Sequence, residues 1–310
     1  DYDTNESQRQ AAKIWHEIRD WLEEFYPDTF LVPEGSEPRT GASLAFDADF
    51  FLVIFGEHAS LFNNQAAGRL PFNEPRPAYF DELGAGSTDV FIQGWSQIKN
   101  ADPNRSIMMA TADHDFNRLS CGSRTAEQLG AAFVFLLTWG TVPCIWYGDE
   151  IGMRYLPDMP NVEGAICNPG YNRAGCRTPM QWDSTENAGF SEAPAEKLYL
   201  PIDPDEKRPN VESQESDPSS TLNLVRKLIA IRRQTAALRT EASVRVINET
   251  YPLAFVKNET HFVVVNPRRA TATLDLSEVK LGKALINSGV TAASQIVEVA
   301  GFGYGIFEIE

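Results

Sequence analysis

Residues 6–152 alternate between stretches with helical periodicity and short apolar runs of strand length. The helical stretches cover residues 6–25, 89–99 and 126–138, and apolar residues in the first recur at spacings of three and four. The apolar runs cover residues 29–32, 45–55, 106–111 and 142–147, the second running from a strand into a helix. This order is typical of α/β proteins with a parallel sheet.

Two further kinds of sequence pattern occur later along the chain. Residues 154–217 are rich in proline, glycine and charge but keep several aromatic side chains, which favours an ordered, functional loop. Asp217 to Ser220 then cap a helix that runs to residue 239. After residue 240, about seven short strands alternate with turn residues, which predicts a small all-β sandwich. We therefore expect one domain over residues 1–240 and a second over 241–310.

Charge and cysteine content exclude several classes of function. The 310 residues carry a net charge of −16, which repels nucleic acid and anionic membranes, and no run of eighteen apolar residues occurs. No nucleic-acid or membrane partner is therefore expected. The four cysteines form no C-x-x-C pair, so we expect no metal site. The sequence has no glycine-rich phosphate-binding loop, so we expect no cofactor. Cys167 and Cys176 either form a disulfide or stay free, which leaves the compartment open.

Carboxylates come after two of the apolar runs. Asp113-His114-Asp115 comes directly after the run at 106–111, and Glu34 after the run at 29–32. Parallel strands place chemistry at their carboxyl ends, and retaining glycosidases pair two carboxyl groups about 5 Å apart across the bond they cleave. The alternatives are a helix cap for one aspartate and an ordinary exposed loop position for Glu34. No G-x-S-x-G or Cys/His protease motif is present.

Four segments resemble motifs of one known family, and they occur in the same order along the chain as in that family. Residues 30–34 (FLVPE), 113–115 (DHD) and 140–152 (GTVPCIWYGDEIG) resemble the motifs of the fifth, seventh and eighth barrel strands of the α-amylase family of glycoside hydrolases. Residues 177–183 (RTPMQWD) are the most specific match. The pattern is most similar to the α-glucosidase, oligo-1,6-glucosidase and trehalose synthase group.

The resemblance implies a fold and a gap in it. Residues 1–240 would form the second half of a (β/α)8 TIM barrel, strands five to eight, followed by the β-sandwich. The family's Arg-x-Asp motif, which bears the nucleophile after strand four, is not found before Glu34. Half a barrel leaves two bare sheet edges. We therefore expect the first half, with the nucleophile, on a second polypeptide or in chain outside this sequence.

The resemblance also assigns roles to individual residues. Glu34 is implied as general acid/base and Asp115 as the carboxylate that stabilises the transition state. His114 and Arg177 are implied to hold the substrate. We add Phe116 as a residue that stacks on sugars and Arg118 as one that reaches an outer subsite, although a solvated loop arginine is the alternative. Asp113 stands where the family usually has asparagine, which would couple its titration to that of Asp115.

Three functions fit these residues. The first is hydrolysis of α-glucosidic bonds in short oligosaccharides. The second is transglycosylation or isomerisation of the trehalose synthase kind, in which a sugar replaces water as the acceptor. The third is a non-catalytic barrel that binds a partner, as in the heavy chains of amino-acid transporters. Retention of the acid, the aspartate, the histidine and the arginine favours an enzyme.

Overall fold

The computed structural model describes residues 5–34, 44–51, 56–63, 77–167, 171–240 and 242–310. The helices are α1 (Asn5–Phe25), α2 (Gly56–Phe62), α3 (Asp89–Ala101), α4 (Ala126–Thr138), α5 (Val211–Glu215) and α6 (Thr221–Gln234). The first strands are β1 (Ala48–Phe51), β2 (Ser106–Ala110), β3 (Val142–Cys144), β4 (Ile166–Cys167) and β5 (Tyr171–Asn172). The later strands are β6 (Val244–Asn248), β7 (Leu253–Lys257), β8 (His261–Val265), β9 (Ala272–Asp275), β10 (Leu281–Ala293) and β11 (Ile296–Ile309). Much of the expected loop after residue 63 lies outside the described residues.

A parallel sheet in the order β1-β2-β3 positions Asp113, His114 and Asp115, which follow β2. Phe51 pairs with Met109, and Ala110 pairs with Cys144, so the three strands end at one edge. The interpretation of residues 29–32 as a strand is wrong, since they join no ladder. The side chain of Asp47 accepts the Leu31 N–H at 2.6 Å, while the Asp47 N–H donates to the Leu31 carbonyl at 2.9 Å. One side chain thus takes the place of a strand partner beside β1.

Helix α4 is the centre of the core. Thr125 and Gln128 form a capping box at its start, and nearly all of its residues are buried. The helix belongs to a hydrophobic cluster that contains residues of both the α/β part and the β part of the chain. Trp139, just after the helix, meets Phe91 at 5.1 Å and Phe255 at 4.9 Å between ring centroids. One hydrophobic core therefore continues across residue 240.

The C-terminal strands form one antiparallel sheet of six strands, whereas we expected a sandwich of about seven short strands. The order is β10-β11-β8-β7-β6, and β9 pairs with β11. The strands expected at 296–299 and 304–309 are one long strand, β11, which bends at Phe302, where φ is +59°. Because β11 pairs with β10 along its length and with β9 and β8 on its other side, the sheet curls.

The segment between β3 and α6 has little regular structure but is held by specific bonds. Arg154 pairs with the buried Asp203 at 2.8 Å, and the Asn172 side chain donates to the carbonyls of Pro157 and Met159. All four cysteines are free, including Cys167 and Cys176. Among the described residues, no helix combines the length and the apolar character that crossing a membrane requires.

Candidate active site

The segment Asp113–Asp115 turns sharply just beyond the end of β2. The Asp113 carboxylate accepts the backbone N–H of Asp115 at 2.7 Å, which fixes the turn. Asp113 is half-buried, and burial raises the pKa of its carboxyl group. The turn leaves His114 exposed and Asp115 half-buried. The local aspartate turn therefore aims two functional side chains away from the sheet edge.

His114 lies between the two carboxylates that the sequence singled out. Its Nε2 is 3.9 Å from Glu34 Oε1 and 3.6 Å from Asp115 Oδ2. Glu34 is 80 residues away in sequence, and the bonds between Leu31 and Asp47 bring its segment to this edge. A glutamate, a histidine and an aspartate thus converge on one surface, with the Glu34 side chain 73% exposed.

Two arginines hold the Asp115 carboxylate. Arg173 Nη1 and Arg177 Nη2 each lie 3.0 Å from Asp115 Oδ1. Arg177 Nε also donates to the His114 carbonyl at 2.6 Å. Charge-assisted bonds of this kind fix a carboxylate in position. Arg177 was expected here, but Arg173 was missed, because its partner Asp115 lies 58 residues away in sequence.

A cavity of about 270 Å³ opens beside these residues. Glu34, Asp113 and His114 supply its polar side, and an apolar floor consists of Val32, Pro33, Phe50, Phe51 and Ala110. Small-molecule sites combine an apolar lining with a few convergent polar groups. At about 270 Å³ this cavity is slightly smaller than the usual range of about 300–1,000 Å³ and suits a single small polar ring.

Two residues predicted for substrate contact lie beneath the surface instead. Arg118 is 1% exposed, and its Nη1 donates to the Tyr147 carbonyl at 2.5 Å and lies 3.5 Å from Asp149 Oδ1. Phe116 is 7% exposed and packs on Tyr171. The interpretation of Arg118 as an outer-subsite residue is wrong, because its guanidinium is buried and pairs with the buried carboxylate of Asp149. Phe116 is likewise a packing residue in this structure.

The described residues offer acid, base and electrostatic chemistry. Within the described ranges, no group of three or more His, Cys, Asp or Glu side chains is arranged to hold a metal. An exposed carboxyl group near an imidazole can exchange protons with a ligand, and a fixed carboxylate can stabilise a developing positive charge.

Comparison with known proteins identifies the family. The family model described as the alpha amylase catalytic domain matches residues 3–241. The salivary alpha-glucosidase of Aedes aegypti is 32% identical over 200 residues, which are 61% of this chain and 34% of that protein. The trehalose synthase of Thermus thermophilus is 34% identical over 166 residues, which are 50% of this chain and 16% of that protein.

A solved structure resembles the whole chain. The trehalulose synthase MutB of Pseudomonas mesoacidophila superposes with a TM-score of 0.74 at 21% identity, over 99% of this chain and 59% of that one. At this identity the likeness concerns the fold. The chain thus spans less than two thirds of each of these relatives.

Proposed function

We propose, from the premise that this chain belongs to the α-amylase family, that it forms part of a retaining glycosidase for α-glucosidic bonds in short oligosaccharides. The observation that carries the proposal is the approach of Glu34 and Asp115 to within 4 Å of the same His114 nitrogen. The small cavity beside them suits a single sugar ring. The names of the matched relatives support an α-glucoside as substrate.

In the proposed reaction, Glu34 protonates the glycosidic oxygen as the bond to the leaving sugar breaks. A nucleophilic carboxylate then holds the sugar covalently until Glu34, now a base, activates the acceptor. Asp115 offsets the positive charge that develops on the sugar ring, and the two arginines keep its carboxylate oriented. His114 donates to a sugar hydroxyl. Arg177 closes the subsite beside Asp115.

We further propose that the nucleophile comes from outside these 310 residues. The architecture would then be the second half of a (β/α)8 barrel over residues 1–240, with the β domain at 241–310. Apolar side chains of α1 and the segment after it support this, since Ile14, Trp21, Phe25 and Phe30 are each about half exposed. The occupant of this face would be the first four strands and helices of the barrel, which a second polypeptide or further chain could carry.

Transglycosylation is the second candidate, because trehalose synthase and trehalulose synthase are among the similar proteins. Both reactions would use the same acid and the same aspartate, and they differ in whether water or a sugar attacks the covalent intermediate. Product analysis on maltose, isomaltose and sucrose separates them. Release of monosaccharides alone, glucose from maltose and isomaltose or glucose and fructose from sucrose, indicates hydrolysis, whereas a new disaccharide indicates transfer.

Substitution of the two carboxylates tests the proposed function. In the assembled enzyme, Glu34→Gln removes the proton donor and Asp115→Asn removes the stabilising charge. Each change should lower kcat about 10²- to 10⁴-fold. Glu206→Gln, at an exposed position in a turn, is the matched control and should leave turnover unchanged. A loss below tenfold would reject the assigned roles, and an inactive unmodified enzyme would favour a non-catalytic, partner-binding barrel.

A further inference from the structure

Tyr199 is an exposed aromatic residue that touches the site without a part in the proposed reaction. Its side chain is 56% exposed, yet its hydroxyl donates to Glu163 Oε2 at 2.9 Å. The bond to Glu163 raises the pKa of Tyr199, and the charge of Arg177, which holds Asp115, opposes that shift.

The bond from Tyr199 to Glu163 leads back to Asp115 through the residue after Glu163. Arg177 bonds to Asp115 directly. Glu163 has a φ of +50°, in the left-handed region that residues other than glycine rarely adopt, and this bend presents its carboxylate to the tyrosine. The carbonyl of the next residue, Gly164, accepts from Arg173 Nη2 at 3.3 Å, and Arg173 Nη1 bonds to Asp115. The bond to Glu163 therefore positions the hydroxyl end of the ring relative to Asp115.

A ring held by its hydroxyl group while much of its surface stays in solvent is suited to stacking. Tyrosine combines an apolar body with a polar edge, which matches a sugar with C–H groups on its faces and hydroxyls around its rim. The first sugar would lie among Glu34, His114 and Asp115. Glu163 and Gly164 connect Tyr199 to Arg173, which bonds to Asp115, so the tyrosine lies farther out than Asp115.

We propose that Tyr199 is the platform for the second sugar, the unit that leaves with the glycosidic oxygen or accepts the glucosyl group. Glu163 is a positioning residue that sets the orientation of the ring. This inference rests on the proposed glycosidase function and names its outer subsite. Tyr199 replaces Arg118, which is buried, as the residue that selects the unit beyond the cleaved bond.

The test compares a substrate with a second sugar and one without it. The enzyme is the full assembly that contains these 310 residues. The probes are whichever of maltose, isomaltose and sucrose the unmodified enzyme cleaves, and α-glucosyl fluoride, whose leaving group is fluoride. Tyr199→Ala should lower kcat/KM for the disaccharide about tenfold, as the loss of one aromatic stack predicts, and change that for the fluoride less than about twofold.

Two further variants make the result specific. Tyr199→Phe keeps the ring and should retain most of the disaccharide activity. Phe190→Ala, an exposed aromatic residue of the same segment at 50% exposure, should change neither substrate's turnover. Equal losses on both substrates with Tyr199→Ala, or no loss on the disaccharide, would overturn the inference while leaving the glycosidase function standing. If the unmodified enzyme cleaves neither substrate, the proposed function itself fails and the subsite fails with it.

Discussion

At the scale of single residues, the buried pair of Arg118 and Asp149 supports the site from below. Both side chains are 0% exposed. Burial raises the pKa of Asp149 to about 6, and attraction to Arg118 lowers it only in part. The Arg118 guanidinium also lies over the Tyr147 ring at 4.8 Å. The pair therefore stabilises the segment after β2 only as long as both partners are present.

We expect Arg118→Met to destabilise the protein in a pH-dependent way. The folded pKa of Asp149 lies above its ordinary value of 3.8, so its favourable contribution is complete below about pH 4 and is lost as pH rises through about 6. Without Arg118 the pKa rises further. The variant should lose about 3 kcal/mol of unfolding free energy at pH 8 and clearly less at pH 5.

Urea unfolding at the two pH values measures this difference. Arg226→Met, which breaks the exposed pair between Arg226 and Glu215, is the control and should cost less than about 1 kcal/mol at both. An equal loss for Arg118→Met at pH 5 and pH 8 would contradict the role of Asp149 ionisation.

At the scale of elements, helix starts are easier to predict than strands. The expected end of α6 at residue 239 is wrong, because the helix ends at Gln234 and a short 3-10 turn follows. The start of α6 was predicted from Asp217 to Ser220, and the Ser220 hydroxyl does accept the Asn223 N–H at 3.2 Å. Capping depends on residues three apart, so the sequence contains the signal. The strand expected at 29–32 is absent because an Asp47 side chain, sixteen residues away from Leu31, takes its N–H. A β-strand needs a pairing partner that is distant in sequence, and the local sequence pattern does not show whether that partner is available.

Removing the cap should weaken α6 measurably. Ser220→Ala loses the bond to Asn223 and a second one, at 2.8 Å, to the Gln214 carbonyl. We expect a loss of about 1 kcal/mol in unfolding free energy, whereas Ser220→Thr, which keeps the hydroxyl, should lose less than half of that. Thermal unfolding followed by circular dichroism gives the comparison. Equal losses for both variants would show that side-chain volume, not the cap, matters here.

At the scale of the whole molecule, the core is shared but one face is open. Tyr79 stacks on Tyr251 at 4.4 Å, and the Lys257 amino group, buried inside the β part, donates to the Trp139 carbonyl at 3.0 Å. These contacts join the two proposed domains into one packed body. The apolar face of α1, in contrast, is half exposed at Ile14 and Trp21. Exposed apolar groups of this size favour a further covering segment.

We expect the protein purified from its native cells to have a mass above 34.5 kDa. Native mass spectrometry gives the mass of the assembly, and a denaturing spectrum separates its two possible sources. A single heavier polypeptide would support the proposal that half of the barrel lies outside these residues, and it would refute a second chain as the carrier. Two polypeptides would support both the proposal that half of the barrel lies outside these residues and the proposal that a second chain carries it. A monodisperse 34.5 kDa species with glycosidase activity would refute the external nucleophile.

The sequence alone determined the family and the order of its motifs, because contiguous motifs such as residues 177–183 identify a family without any knowledge of contacts. Of the residues it singled out, Glu34, His114, Asp115 and Arg177 lie together. It also predicted the amphipathic and buried helices, whose periodicity is local. The tertiary structure decided which charges face a ligand. Arg118 and Arg173 both resemble loop arginines in sequence, yet one pairs with a buried aspartate and the other holds Asp115. Burial and charge pairing are set by residues distant in sequence, and they decide whether an arginine binds substrate or supports the fold.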